Sequence, residues 1–563
     1  MHLFKTTKSM NKTRVHKVIA TATILGLSAI TLAACGKQAK ASSHKEKIAV
    51  AISSELATLD PQHIVDMAGE EIVNNTEEPL VIVGKNNDPV PGIAKSWQIS
   101  KDGKTYTFNL RHDARWNDGK KLTAKDFIYA WRRGVDPKTK GENAYTFSGV
   151  HNADAITAGK MAPNQLGITA DGAYKLTVQL DHPISYFMQL IAEPMFLPEE
   201  QSAVVKYGAK YGTNAKYVAY DGPYTIRKWN GSGDSWTLMR NKHYWNNKHI
   251  HLDQVKYRVV KDASTALNMF DDGQLDQTAL SGNQVQNERS SKSYVRIPSG
   301  TNSYIQVNQK SPSTPLIKKA MNNVDIRKAL SLVVNRQQFV KHTLNDGSVA
   351  AKGIVSPGMA RNQSGQDFAD AAYVDNKLNS GVSYDPKLGK ELFARGMKTI
   401  GATKLDVTLT ADDDSSNDAV VQYLQNVWSK QLKGLNVTIK KVPKTTRLKY
   451  MVSGNFDIML AGWNPNYGDP STFLDMFATG NSYNVSHFGD AAYDKQVKIM
   501  DTTADAHARW NAMVSAEHIL MQKQGVMPLY QISNSYLRNT KLKGVVKNSA
   551  AADPGWRGVY LKK

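Results

Sequence analysis

The sequence predicts a mixed α/β protein, and three stretches carry that prediction. Between Leu405 and Ile439 apolar residues first alternate (Leu405, Val407, Leu409), then recur at helical spacing (Val421, Leu424, Trp428, ended by Gly434), then alternate again (Leu435, Val437, Ile439). Strand, helix, strand in that order argues for parallel strands beneath a covering helix. Two further stretches read as hairpins, one turning at Asp102-Gly103 and one at Gly231-Ser232-Gly233-Asp234, which adds antiparallel pairs to the parallel ones.

At the N-terminus Lys5, Lys8, Lys12, Arg14 and Lys17 precede an uncharged run from Val18 to Leu32, and no acidic residue occurs before Cys35. A cationic segment followed by a short apolar one is a secretion signal. The run is too short and too interrupted by threonines to span a bilayer, which takes about 20 apolar residues. Leu32-Ala33-Ala34-Cys35 resembles the lipobox of bacterial lipoproteins. That resemblance implies that residues 1–34 are removed and that Cys35 is acylated, placing the protein on the outer face of the cytoplasmic membrane by a lipid anchor only. Residues 35–47 are polar, without apolar periodicity, and read as a flexible spacer.

The chain has 563 residues and one cysteine, so no disulfide forms within it, and its cores must be held by burial. Formal charge is +21, and removal of the five leader cations leaves +16. A surplus of this size favours anionic neighbours such as lipid headgroups or cell-wall polymers, or is simply a solvated basic surface. Nucleic acid is not expected, because lysine and arginine are spread along the chain and not massed in a stripe.

The elements then follow in order. Ile48-Ala49-Val50-Ala51-Ile52 is the first strand. Trp97 and Ile99 face Tyr106, Phe108 and Leu110 across the first hairpin, Asp118-Gly119 turns again, and Thr123-Ala124-Lys125-Asp126 forms a capping box before Phe127, Ala130 and Trp131, a helix stopped by Gly134 and Pro137. Together these make a small α+β lobe. The second hairpin joins Tyr224-Ile226 to Trp236-Leu238. After residue 300, Tyr304 to Val307 is a strand, and Ile326, Ala329, Leu330 and Val333 mark one face of a helix starting near Asn323. Ligands are expected at the carboxyl ends of the parallel strands. There the sequence places Ala411 to Asp418, with Asp412, Asp413 and Asp414, which either cap the next helix or meet a cationic ligand.

Catalytic signatures are missing. There is no His-Glu-x-x-His, no Gly-x-Ser-x-Gly and no second cysteine, and Gly103-Lys104-Thr105 lacks the earlier glycine of a phosphate loop, since Gln98 holds that place. Glu70-Glu71, Glu77-Glu78 and Asp271-Asp272 are neighbours in sequence, which does not set two carboxyls across a scissile bond. The expectation is a binder, not an enzyme, with no cofactor and no metal.

Several segments jointly resemble the extracytoplasmic solute-binding proteins of oligopeptide ABC transporters: Ala94-Lys95-Ser96-Trp97, Trp116-Asn117-Asp118-Gly119, Asp126 to Trp131, Asp221-Gly222-Pro223-Tyr224, Arg240-Asn241 with Tyr244-Trp245, Gly273 to Asp276, Asp325 to Leu330, and Gly462-Trp463 with Asp469-Pro470. The resemblance implies a periplasmic-binding-protein-like clamp of two lobes with an additional small α+β domain. Residues 48–78, 198–299 and 534–563 would form lobe I, 79–197 the satellite domain and 300–533 lobe II. It also implies a monomer that closes on an extended oligopeptide and presents it to an ABC permease and its ATPase subunits. A non-peptide solute or a peptide pheromone is the alternative cargo on the same fold.

A buried peptide needs partners for its backbone, so the site calls for a free strand edge. Phe456 to Asn464, breaking at Gly462, is the candidate. By the resemblance, the position that in relatives pairs an aspartate with the peptide's amino group is Asn466 here, with Asp469 or the Asp412–Asp414 loop as substitutes. Leu460, Leu344 and Asn417 stand where relatives carry basic residues for the carboxylate. Trp463 either stacks on ligand or packs in the core; Asn464 belongs to the candidate edge; Tyr467, Asp469 and Asn466 either touch ligand or shape a turn. Met67, Asn143, Tyr145 and Tyr530 complete the cleft candidates.

Overall fold

The computed structural model describes residues 46–373, 381–465, 467–550 and 553–563. The leader, Cys35, most of the spacer and Asn466 lie outside the described residues. Among those described, no helix is long and apolar enough to cross a membrane.

One mixed sheet organises both lobes. Its strands run in the order Leu435–Val442, Leu405–Asp412, Ile458–Trp463, Tyr294–Val307, Met527–Arg538, Gln277–Leu280, Lys47–Ile52, Gln254–Val259, Ser235–Arg240 and Tyr224–Arg227, with Val349–Ala350 also paired to Met527–Arg538. The expected parallel unit is present: Leu405 lies opposite Leu435 and Asp412 opposite Val442, and the helix Ser415–Gln431 returns the chain between them. Trp428 is fully buried and its indole N–H donates to Leu330 O at 2.8 Å, joining that helix to Val324–Leu332. The expectation of a parallel sheet holds at this end and around Lys47–Ile52, which runs parallel to both Gln254–Val259 and Gln277–Leu280. The centre is antiparallel, because Tyr294–Val307 and Met527–Arg538 cross between the lobes in opposite directions.

Those two strands are the longest in the molecule, and their pairing changes partway. Tyr294 to Pro298 pairs with Leu537 to Ser533, the pairing then skips to Asn302 opposite Gln531, and from Asn302 onward the strand also pairs with Trp463 to Ile458. The bulge therefore marks where the sheet passes from one lobe to the other.

The small lobe is a four-stranded sheet, ordered Ala94–Ile99, Thr105–Leu110, Lys175–Gln179 and Ile168–Ala170, packed under the helix Ala124–Val135. Its hairpin has the expected face: Tyr106, Phe108 and Leu110 are buried, and Gly103 takes φ +70° at the turn. Of the expected capping box, the Asp126 carboxylate accepts from the Thr123 N–H at 2.7 Å and from its hydroxyl at 3.0 Å.

A buried ion cluster fixes this domain to lobe I. The Arg133 guanidinium grips Asp60 through two bonds of 2.7 and 2.6 Å and gives one of 2.6 Å to Glu199. Burial opposes ionisation of both acids. Asp60, with the two-bond grip and His63 beside it, stays below its usual range, whereas Glu199 is pushed up to about 8. Arg111 adds a stacked contact, 3.2 Å from the Trp245 ring centroid. Toward lobe II, Asn87 Nδ2 donates to Gly358 O and Met359 O at 2.9 and 3.1 Å, Tyr186 stacks on Tyr467 at 3.7 Å and 5°, and His182 comes near enough to Asp501 to act on its charge.

Removing one partner of a buried ion cluster leaves the other charge uncompensated, at a cost of about 3–5 kcal/mol. Arg133→Ala is expected to lower the urea-unfolding free energy by that amount at neutral pH, with Arg133→Lys recovering only part, because an ammonium lacks the two-pronged geometry. A loss below about 1 kcal/mol, the range of surface pairs, would mean that the cluster is solvated in solution.

Candidate ligand-binding cleft

The cleft forms where the sheet changes lobes. A cavity of about 920 Å³ opens over the bulge, with Ile297, Ser299 and Thr301 of one crossing strand and Ile532, Asn534 and Tyr536 of the other as its floor. Ile52, Ser53 and Ser54, at the carboxyl end of the first strand, and the helix Met67–Thr76 form one wall. Asn143, Tyr145 and Glu193 of the satellite extend it. Residues 545–550 and 553–556 near the C-terminus run along the same side, and lobe II contributes Asn464 and Pro465, just past the carboxyl end of Ile458–Trp463. The size is that of a ligand site.

Glycine is required at the convergence point. A Cβ on Gly300 would come within 2.5 Å of Pro465 Cγ and 2.6 Å of Ser549 O, so crossing strand, lobe II loop and C-terminal segment meet only because position 300 has no side chain. The interrupted ladder is completed by a side chain: Gln531 Nε2 donates to Ser299 O at 2.6 Å and Pro357 O at 3.0 Å.

Of the residues expected in the site, Met67, Asn143, Tyr145 and Asn464 line the cavity. Met67 and Tyr145 are 83 % and 64 % exposed, large apolar surfaces left open at its mouth. Asn143 Nδ2 donates to Ile64 O, and Asn464 Oδ1 accepts from the Thr301 hydroxyl at 2.7 Å. Gly462 sits in the strand paired to Ser303. On the other side of that strand only Ile458 and Met459 are paired, so from Leu460 to Trp463 that edge has no strand partner among the described residues.

Several of the other expected side chains are engaged within the protein. Trp463 is half-buried; its indole N–H donates to the Thr472 hydroxyl at 3.0 Å and its ring meets the exposed Tyr483 edge-on. Tyr467 belongs to the stack on Tyr186. Asp469 faces inward: its carboxylate takes two bonds from Arg509, 2.9 and 2.7 Å, and one from the Ser471 N–H. Burial raises the cost of that charge, but Arg509 outweighs it and keeps Asp469 below its usual range. Three of the carboxylate's roughly four acceptor positions are thereby filled from within the protein. Asp412 is held by Arg447 at 2.6 Å, and Asp414 caps the next helix by accepting the Asn417 N–H and its side-chain amide. Asp413, Asp414 and Asn417 do not reach the cavity. Tyr530 is buried against Phe339 in the lobe II core.

The sequence reading missed the charged lining. Glu71 Oε1 accepts from the Tyr257 hydroxyl at 2.8 Å, and that hydroxyl accepts from the Trp556 indole at 2.7 Å. Lys547 bonds Asp553 at 2.7 Å, whose other oxygen accepts the Asn548 N–H at 2.8 Å. Burial pulls the Lys547 ammonium down, but Asp553 and Glu71 more than offset it. Burial, with Asp66 adding, holds Glu70 above its ordinary range.

This architecture is one already known. A family model for bacterial extracellular solute-binding proteins, family 5, matches residues 88–484. The chain belongs to that family. It is 36 % identical to a dipeptide-binding protein of Lactococcus lactis over 97 % of its own length and 99 % of the relative's. Among solved structures, Listeria monocytogenes OppA bound to peptide is 32 % identical with a TM-score of 0.68, covering 92 % of this chain and all of that one. The unliganded open form of the murein tripeptide-binding protein MppA is 27 % identical yet superposes with a TM-score of 0.79 over 92 % of this chain and 98 % of that one. The superposition is closer with that open form than with the peptide-bound structure, although the sequence identity is lower.

Asp469→Ala leaves Arg509 buried and unpaired, and is expected to cost about 3–5 kcal/mol of unfolding free energy while changing ligand affinity less than about twofold, below the 1.4 kcal/mol of a tenfold effect. Urea melts and titration calorimetry at a temperature where both proteins are folded separate the two; lost affinity at unchanged stability would return Asp469 to the ligand.

Proposed function

We propose that this protein captures oligopeptides in an extended conformation between its lobes and delivers them to an ABC permease for uptake. The observation that carries the reading is the unpartnered edge from Leu460 to Trp463, whose continuation at Asn464 and Pro465 lines the cavity. A peptide strand added to such an edge satisfies its own N–H and C=O groups, which would cost several kcal/mol each if buried unpaired. Pairing through backbone binds many sequences, and the family membership and the peptide named in the relatives point the same way.

With Asn466 in place of an aspartate, and with Asp469 committed to Arg509, an ionic grip on the peptide's amino group is absent from the positions where relatives are expected to place it. A charge-assisted hydrogen bond is about twice as strong as a neutral one, so the protein should discriminate weakly for a free amino terminus. Titration calorimetry of one pentapeptide in free, N-acetylated and C-amidated forms is expected to give dissociation constants within a few-fold, and N-methylation of successive backbone amides is expected to weaken binding at alternate positions. A large loss on acetylation, or indifference to every N-methyl group, would refute the reading.

The tether is part of the same proposal. Cys35 at the end of the apolar leader would carry the lipid, and residues 36–47 would let the clamp tilt toward its permease. Cys35→Ala is expected to release the protein from the membrane fraction into the medium and to abolish incorporation of labelled fatty acid; retention in the membrane would rule the anchor out.

A further inference from the structure

The cleft carries the opposite charge from the chain that forms it. The whole sequence has 71 lysines and arginines against 50 aspartates and glutamates, yet the charged side chains lining the cavity are Glu70, Glu71, Glu193 and Asp553 against Lys547 alone. None of the five comes from lobe II, whose share of the lining, Thr301, Asn464, Pro465 and Ile532, is uncharged. Lys547 is spent on Asp553, and the Glu70 carboxylate meets no basic side chain among the described residues.

A second feature shares the mouth of the same cavity. Val65, Met67 and Tyr145 are among the most exposed large apolar side chains of the chain, at 55, 83 and 64 %, and all three line the opening. An apolar shelf beside an acidic wall is complementary to a cationic residue flanked by apolar ones: the shelf covers the aliphatic stem and its neighbour while the carboxylates meet the charged head.

We propose that the cleft prefers oligopeptides bearing lysine or arginine, and that lobe I with the satellite domain exerts this preference on the open protein, before lobe II closes on the backbone. The inference rests on the peptide-binding reading above and adds the ligand's charge and the order of events. Selection by a field that exists before closure acts on encounter, so its signature is an association rate that depends on salt. Lobe II then contributes backbone pairing, which is indifferent to side-chain charge.

The test is stopped-flow association of three pentapeptides, all-alanine and with a central lysine or glutamate, followed by the tryptophan fluorescence of the full chain. At low ionic strength the lysine peptide is expected to associate several-fold faster than the alanine peptide and the glutamate peptide more slowly. The ratios should collapse toward one near 1 M salt, where the Debye length is about 3 Å. In Glu70→Gln/Glu193→Gln the lysine advantage should shrink toward one at low salt. If that variant does not fold, the salt dependence of the unaltered protein decides alone. Equal rates for lysine and alanine peptides, or a lysine advantage that survives high salt, would overturn the inference and leave the peptide reading standing. Binding of none of the three would instead bring down the peptide reading itself.

Discussion

The structure depends on one constraint: two antiparallel strands must carry a single sheet through both lobes and still leave a hole between them. A continuous ladder from Tyr294–Val307 to Met527–Arg538 would give a flat, filled sheet with no cleft. The register shift between Pro298 and Asn302 breaks that ladder, and a broken ladder exposes backbone groups that need other partners. Gln531 supplies an amide to Ser299 O and Pro357 O, and the Gly300 N–H turns away to Ser549 O. The cleft floor is thus a bulge whose hydrogen bonds have been re-routed to the C-terminal segment and a lobe II loop, and the absence of a Cβ at residue 300 lets all three approach.

Arginine does the structural work around that floor, which leaves the cleft its acidic character. Arg133 takes Asp60 and Glu199, Arg447 takes Asp412, Arg509 takes Asp469, and Arg557 takes Glu78 at 2.6 Å. Each is a guanidinium meeting a carboxylate at a junction of segments distant in sequence, where its planar fork fixes orientation as well as charge. These pairs neutralise acids in the interior. Among the described residues lining the cavity, four acids and one lysine carry charge, so a strongly basic protein presents a locally acidic site.

How much of this was legible depended on sequence distance. The hairpins at 94–110 and 224–240, the helix after Thr123 and the unit from Leu405 to Val442 were readable because period, turn and cap all lie within about 40 residues of one another. The cleft was readable only where a residue sat on an element already placed, as with Asn464 beyond the Gly462-Trp463 strand. Asp412 and Asp469 misled because their partners, Arg447 and Arg509, lie 35 and 40 residues away on other elements, and no local pattern distinguishes a paired aspartate from a free one. The wall joining Met67–Thr76 to Val545–Trp556 was harder still. The Asn75 side-chain oxygen accepts the Trp556 N–H across 481 residues of chain, a contact that only the closed topology of lobe I creates. Glu70 and Glu71 looked like an uninformative adjacent pair until that segment came to face them.

The satellite domain constrains how the lobes can move. Arg133, held between Asp60 and Glu199, and Arg111 on Trp245 tie it to lobe I. The same domain reaches lobe II through Tyr186 on Tyr467 and through Asn87 on two carbonyls. A rotation of lobe I against lobe II about the crossing strands must slide these contacts or part them. Their chemistry suits that demand: a face-to-face ring stack keeps most of its contact area over small lateral shifts, and an amide that bonds two adjacent carbonyls can exchange one for the other. An ion pair at the same place would cost several kcal/mol to open. The guanidinium–carboxylate pairs named above therefore lie within lobe II, within lobe I or between lobe I and the small domain, whereas the hydrogen bonds and ring contact that reach lobe II from that domain are an amide on two carbonyls and a tyrosine stack.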